Sequence, residues 1–454
     1  GHYWLELPAS HEYLLVADAS PRPRSARQVS ACSARVDFQL GPLPAPRPSD
    51  AAIATWLKER AVPLARGTEL DAAGARAISR LVGEATIVAV GEATHGSAEF
   101  AEERRRIFQA LVREKGFAVY AGETSWADAR LVDDYVVSGK GDARSALRAL
   151  RSRKDEIEQK LELIEWMRAQ NRERHALAKL HFAGFDPLSP RAVADLVAYL
   201  RRVDADAAAT AERALAQLGR PDAEETFGSL PPAEQERMQS ALRELSASLE
   251  ARRARYAARS SQADWDYARR SLRVIARAAL CAESYADRDT QMFDTLTELI
   301  EQYPPGTKFL LDAHNSHIAA EQHDLAYLGR LLREHWGPRY VAIGFTFGAG
   351  SLIAMDWRNG PASRDWKEFR LERAPLGTLD GDLGLAALPA LLIDLRGAAG
   401  PVGDWLNSPQ RQHSLGFRFV GESQSFETYA PARAFDALLY LDRVSAIRPF
   451  RDVP

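Results

Sequence analysis

The sequence predicts an α/β fold: a mostly parallel sheet with a large helical insertion, preceded by a short β segment. Three observations carry the prediction. Short, wholly apolar runs recur from residue 87 onward, stretches of helical periodicity separate them, and residues 189–299 read as helix almost throughout. Apolar runs of strand length suit strands buried on both faces. Their alternation with helices indicates βαβ units and a parallel sheet.

Residues 1–40 read as a partial β-sandwich-like segment, with strand-like bursts at YWLEL, EYLLVA and ARVDFQL between turns rich in Ser, Pro and Arg. GPLPAPRPS (41–49) is a proline-rich spacer and marks a boundary before a domain spanning 50–454. Ser49-Asp50 caps a helix through AAIATWLKERA, and a second helix covers about 70–82. The strands that follow are IVAV (87–90), FAVYAGE (117–123), LHFAGFD (180–186), KFLLDAHN (308–315) and YVAIGFTFG (340–348). A helix from about Ser97 to Lys115 joins the first two, and Gly116 stops it. In the insertion, Ser189-Pro190 starts a helix whose apolar face is Val193, Leu196, Val197, Leu200 and Val203, and the stretch Gly228–Pro232 interrupts the helical run.

The bulk numbers exclude several classes. A chain of 454 residues with 46% hydrophobic and 27% charged residues buries a substantial core. A net charge of −3 gives no case for a nucleic-acid partner. Two cysteines, Cys32 and Cys281, build neither a disulfide framework nor a cysteine metal cluster. No apolar stretch is long enough for a membrane span, and no signal peptide is evident, although GHYWLELP reads as a scar followed by mid-domain sequence. Compartment and oligomeric state are not encoded in any feature found.

Ligands of open α/β sheets sit outside the carboxyl ends of the strands. There the first strand delivers Glu92, Thr94 and His95, and the second Glu123 and Thr124; the third carries His181 and ends in Asp186, and the fourth gives Asp312, His314, Asn315 and His317. Imidazoles beside carboxylates are the apparatus of general acid–base chemistry. Arg104, on the helix after His95, is placed to steady a carboxylate or an oxyanion. Each residue alone also has a bland use. Thr94 with Glu99 and Glu102 reads as a helix cap, His181 as a packed strand residue and Arg288 as a solvated helix face. The alignment of so many at one sheet edge favours a site. No GxSxG elbow exists, which argues against a serine nucleophile. HNSH (314–317), His95 and the two glutamates also supply enough ligands for zinc. The expectation is a site without a metal or other cofactor, with zinc or another divalent metal as runner-up.

GEATHGSAEF with its following Arg104, and GFAVYAGE, resemble the opening signature of the erythromycin esterase family, which includes proteins labelled for succinoglycan biosynthesis. HFAGFDP, RDTQMF, DAHNSHIA, YVAIGFTFGAGS, LLIDLRG and FDALLYLDRV follow in the family's order, over about residues 50–450. The resemblance implies hydrolysis of an ester by activated water, the macrolactone of macrolides in characterised members. It assigns His95 as general base, with Glu92 and Glu123 orienting it. Arg104, His314 and His317 position substrate, water or the oxyanion, and His181, Asp186 and Arg288 bind substrate. The expected partner is a small-molecule, macrolide-like or other ester. A metal-dependent hydrolase of esters or amides, and a lyase or cyclase using His95, are the alternatives. Asp312 departs from the family, where an apolar or aromatic residue is more usual before HN.

Overall fold

The computed structural model describes residues 12–17, 25–30, 45–220, 231–280, 285–321, 327–358, 360 and 365–450. In chain order its strands are β1 (Glu12–Ala17), β2 (Ser25–Ser30), β3 (Val62–Pro63), β4 (Ile87–Val90), β5 (Phe117–Ser125), β6 (His181–Asp186), β7 (Lys308–Asp312), β8 (Tyr340–Asp356), β9 (Trp366–Leu371), β10 (Ala390–Asp394), β11 (Gln410–His413), β12 (Arg418–Phe419), β13 (Phe426–Tyr429) and β14 (Ala437–Val444). The chain divides into two compact units, Gly1–Ala110 with His314–Ala446, and Leu111–Ala313 with Ile447–Pro454.

The first unit is organised around β8. This long strand runs parallel to β4 on one side and to β14 on the other, with Val90 opposite Ile343 and Leu439 opposite Phe345. Beyond β14 lie β10 and then β3, both antiparallel, while β9 pairs antiparallel and β12 parallel with the far end of β8. All four residues of β4 are buried, as a wholly apolar IVAV run in a parallel sheet requires. Phe100, from the helix Ala98–Lys115, packs against Phe345 and Phe347 of β8 at ring separations of 5.6 and 5.9 Å. A separate hairpin pairs β11 with β13.

In the second unit β5 lies between β6 and β7, all parallel, with Gly122 opposite both Gly184 and Asp312. The α/β class and the mostly parallel pairing read from the sequence are the ones observed. Downstream of β6 the helices Pro190–Val203, Ala205–Ala214, Pro232–Ala251, Arg253–Arg259, Gln262–Leu280 and Tyr285–Ile300 follow one another. The expected face of the first, including Leu196 and Leu200, joins Leu245, Tyr256, Trp265 and Leu272 in one apolar core. Each such side chain contributes roughly 1.5–3 kcal/mol when fully buried. The Trp265 indole N–H is satisfied by the carbonyl of Leu249 at 3.2 Å.

Local differences from the sequence reading have local causes. SARQVS, expected in a turn-rich spacer, is a strand: β2 pairs with β1 from Glu12↔Ser30 to Ala17↔Ser25, and backbone pairing overrides its polar composition. YWLEL, ARVDFQL, both cysteines, part of the 41–49 spacer and most of the 228–232 interruption lie outside the described residues. The cap at Ser49 is present, its hydroxyl accepting from the Ala52 N–H at 3.2 Å. Thr94, by contrast, does not cap the helix after β4. Its hydroxyl accepts from the Gly96 N–H inside the turn, while Glu99 accepts from the N–H and hydroxyl of Ser445, each at 2.7 Å. Among the described residues no helix is long and apolar enough to cross a membrane.

Candidate active site

In the first unit the site grows from the turn GEATHG at the carboxyl end of β4. Both glycines are required by close packing. A Cβ on Gly91 would lie 2.1 Å from Oδ1 of Asn315, and one on Gly96 would lie 2.0 Å from the carbonyl oxygen of Ile353. The turn is therefore pressed between the segment after β7 and the far end of β8. Asn315 fastens that packing. Its backbone N–H donates to the Glu92 carbonyl at 3.0 Å, its amide donates to the Phe345 carbonyl at 2.6 Å, and it accepts from the Phe345 N–H at 3.0 Å.

This turn projects Glu92 and His95 together. Glu92 is buried and uses both oxygens: Oε1 accepts from His95 Nδ1 at 2.5 Å, and Oε2 from Arg104 Nη2 at 2.6 Å. Arg104 donates to one oxygen, so the ring meets a carboxylate and must donate from Nδ1. The lone pair of His95 then sits on Nε2. His95 Nε2 makes no hydrogen bond among the described residues, and the ring retains 13% exposure. A buried carboxylate paired to a guanidinium is costly to break, so the arrangement is fixed in place.

His314 stands edge-on to His95, with ring centroids 5.4 Å apart. Its Nδ1 caps the short helix Asn315–Ile318 by accepting from the Ser316 N–H at 3.3 Å, and lies 2.8 Å from the Ser316 hydroxyl. The ring proton of His314 is accordingly on Nε2. Burial, and then the neighbouring His95, lower its pKa to about 4, outweighing the opposite pull of Glu427 and Glu92. His314 is thus a neutral donor at ordinary pH. His317 closes the same short helix, is buried, and also acts on His314.

The second unit assembles a cluster of carboxylates around one guanidinium. Glu123 lies two residues before the end of β5 and Asp186 ends β6, and Arg288 of the helix Tyr285–Ile300 reaches both, Nη2 lying 2.5 Å from Asp186 Oδ2 and 3.4 Å from Glu123 Oε1. Arg288 is not on a solvated face, its side chain keeping only 17% exposure. The Lys154 ammonium donates to the Glu123 backbone carbonyl at 2.6 Å. Asp312 belongs to a different network, accepting from Tyr120 at 2.6 Å and from Lys160 at 2.5 Å. A charge at this unusual position is compensated by a buried lysine.

His181 does not join the cluster. It begins β6 whereas Asp186 ends it, a separation of roughly 16 Å along a strand. Its Nδ1 lies 3.2 Å from each oxygen of Asp133, and its ring packs edge-on against Tyr303. The structure thus places His181 at the amino ends of the parallel strands, apart from Glu123, Asp186 and Arg288.

The sequence missed the residues that complete the surroundings of His95. Phe417 stacks at 6.5 Å and 16° from the His95 ring, and Gly416 lies beside its Nε2 edge. Ser414, Glu427 and Tyr429 form a hydrogen-bonded group on the adjoining β11–β13 hairpin. QRQH and FETY are too short and polar to announce strands, and only LGF (415–417) carried an apolar signal. Among the described residues no group of three or more His, Cys, Asp or Glu side chains is arranged to hold a metal ion.

A family model described as erythromycin esterase matches residues 112–444. The fold is shared with a Bacillus cereus protein of known crystal structure, at 23% identity and a TM-score of 0.76, over 89% of this chain and 100% of that one. It is also shared with a succinoglycan biosynthesis protein, at 20% identity and a TM-score of 0.71, over 88% of this chain and 99% of that one. An open-conformation structure of a mutant of the erythromycin esterase EreC aligns at 18% identity with a TM-score of 0.65, over 85% of this chain and 97% of that one. The chain belongs to the erythromycin esterase family.

Proposed function

We propose that this member of the erythromycin esterase family hydrolyses an ester with water activated by His95, without a metal. The observation that carries the reading is the chain of contacts Arg104–Glu92–His95, which leaves Nε2 as the basic nitrogen. In this scheme Nε2 takes a proton from water as the water attacks the carbonyl carbon. Glu92 stabilises the imidazolium that forms, and Arg104 holds Glu92 in place. The neutral His314 donates from Nε2 to the oxyanion of the tetrahedral intermediate, a contact that strengthens as charge develops. His95 then returns its proton to the departing alkoxide, and His317 supports the placement of His314. A small molecule bearing a lactone or other ester, macrolides included, is the substrate class.

The test is turnover of a p-nitrophenyl ester and of erythromycin by the purified protein, before and after exhaustive chelation, with metal content measured in parallel. Turnover that survives chelation and disappears in His95→Ala is expected. Stoichiometric metal with activity lost on chelation would replace this reading by the metal-dependent one.

A further inference from the structure

The β11–β13 hairpin carries an acidic group that the scheme above does not use. After β11 the chain runs beside the turn that holds His95. The Leu415 N–H donates to the Ala93 carbonyl at 2.7 Å, and Leu415 bridges to Thr94 in parallel register. The next two residues are those at the ring: a Cβ on Gly416 would lie 3.8 Å from His95 Nε2, and Phe417 stacks on the imidazole. Ser414, immediately before this stretch, donates to Glu427 Oε2 at 2.8 Å. Tyr429 donates to the same oxygen at 2.6 Å.

Burial, and then the Glu427 carboxylate beside it, hold the Tyr429 phenol well above its ordinary range, so it stays a donor. Two hydroxyls therefore clamp Oε2. Glu427 is half-buried, and its Oε1 makes no hydrogen bond among the described residues. The carboxylate also acts on buried His314, raising its pKa against the effect of burial.

We infer that Glu427 is a substrate-binding residue of the His95 site, its Oε1 accepting a hydrogen bond from a hydroxyl group carried by the ester. A purely structural carboxylate at this position would need only the oxygen that Ser414 and Tyr429 share. A carboxylate with one oxygen anchored and the other presented is oriented to receive a donor, and hydroxyl donors suit it. The substrate class narrows accordingly to hydroxyl-bearing esters. A site built to pair a substrate hydroxyl discriminates strongly against the analogue lacking it, because the protein group is then left unpaired.

This inference rests on the hydrolase reading, and the test separates the two. The wild-type protein is assayed on the p-nitrophenyl esters of butyrate, 2-hydroxybutyrate and 3-hydroxybutyrate, which share one leaving group. At least one hydroxylated ester is expected to exceed butyrate about tenfold or more in kcat/KM, chiefly through KM. In Glu427→Gln the shared oxygen keeps its two donors, but an amide N–H₂ replaces Oε1, and that preference should fall at least tenfold with the thermal midpoint little changed. Absence of any preference in the wild type, or a preference that survives Glu427→Gln, would overturn the role of Glu427 while leaving the hydrolase reading intact. Failure of the wild type to cleave any of the three would overturn both.

Discussion

At the carboxyl end of β4, His95 meets Glu92 in a buried turn with Arg104 behind the carboxylate. At the amino end of β6, His181 meets Asp133, each side chain keeping 28% exposure. The two pairs contain the same groups and differ in three respects. The first contact is short and uses one oxygen, whereas the second is 3.2 Å to both. The Glu92 carboxylate accepts from the side chains of His95 and Arg104, while Asp133 also accepts from the backbone Phe182 N–H at 2.9 Å and so anchors a strand. Only the first lies where a parallel sheet leaves a ligand crevice. In the proposed scheme, an imidazole beside a carboxylate serves as a base or as a strut depending on which strand end holds it and on what else the carboxylate must satisfy.

The strongest way to break this contrast is at the first pair. His95→Ala should reduce kcat about a thousandfold or more, and Glu92→Gln should approach that loss by releasing the ring to its other tautomer. Both should keep the wild-type circular dichroism. Near-normal turnover in His95→Ala would remove it as the base. Arg104→Ala should be visible in stability itself, lowering the unfolding free energy by about 3 kcal/mol because Glu92 is left buried without its guanidinium. Chemical denaturation measures this, and a loss below about 1 kcal/mol would mean that water or another group takes over.

A subtler effect concerns acid. Burial holds His314 at about 4, and His413, stacked between Phe347 and Phe426 at 4.5 and 4.2 Å, is held at about 4 for the same reason. Such a histidine takes up its proton in the unfolded chain first. The stability it contributes is present in full above about 6.5 and is lost as the pH falls toward 4. Urea midpoints should therefore drop across that window, and His413→Asn should flatten the slope even though it lowers stability overall. An unchanged slope would show that His413 titrates normally. The smallest effects belong to the second pair: Asp133→Asn and His181→Ala should leave kcat within about threefold. A loss of tenfold or more would bring His181 back into the site.

Much of this was legible in the sequence because it depends on local order along the chain. IVAV followed by GEATHG, and FAVYAGE ending on Glu123, state both a buried strand and what its end delivers. The separation of Asp186 from His181 follows from the length of β6, yet both fell in one motif and were grouped. What could not be read is whatever depends on partners distant in sequence. Arg288 lies on a helix whose composition suits a solvated face, and only the fold brings it 102 residues back to Asp186. Glu427 sits on a short polar strand, and nothing in FETY announces a neighbour at Ser414 or a histidine beyond it. Asp312 looked anomalous because its compensating lysine lies 152 residues earlier.

Asn315 closes a seam whose effect reaches beyond geometry. The Gly91 N–H donates to the Ile343 carbonyl, the Asn315 N–H to Glu92, and the Phe345 N–H to Asn315. Three chain segments are sewn together by amide protons with no route to solvent except through opening of the whole seam. In deuterium oxide these three amides should exchange together and among the slowest in the unit, their rate reporting how often His95, its carboxylate and the neighbouring histidines come apart.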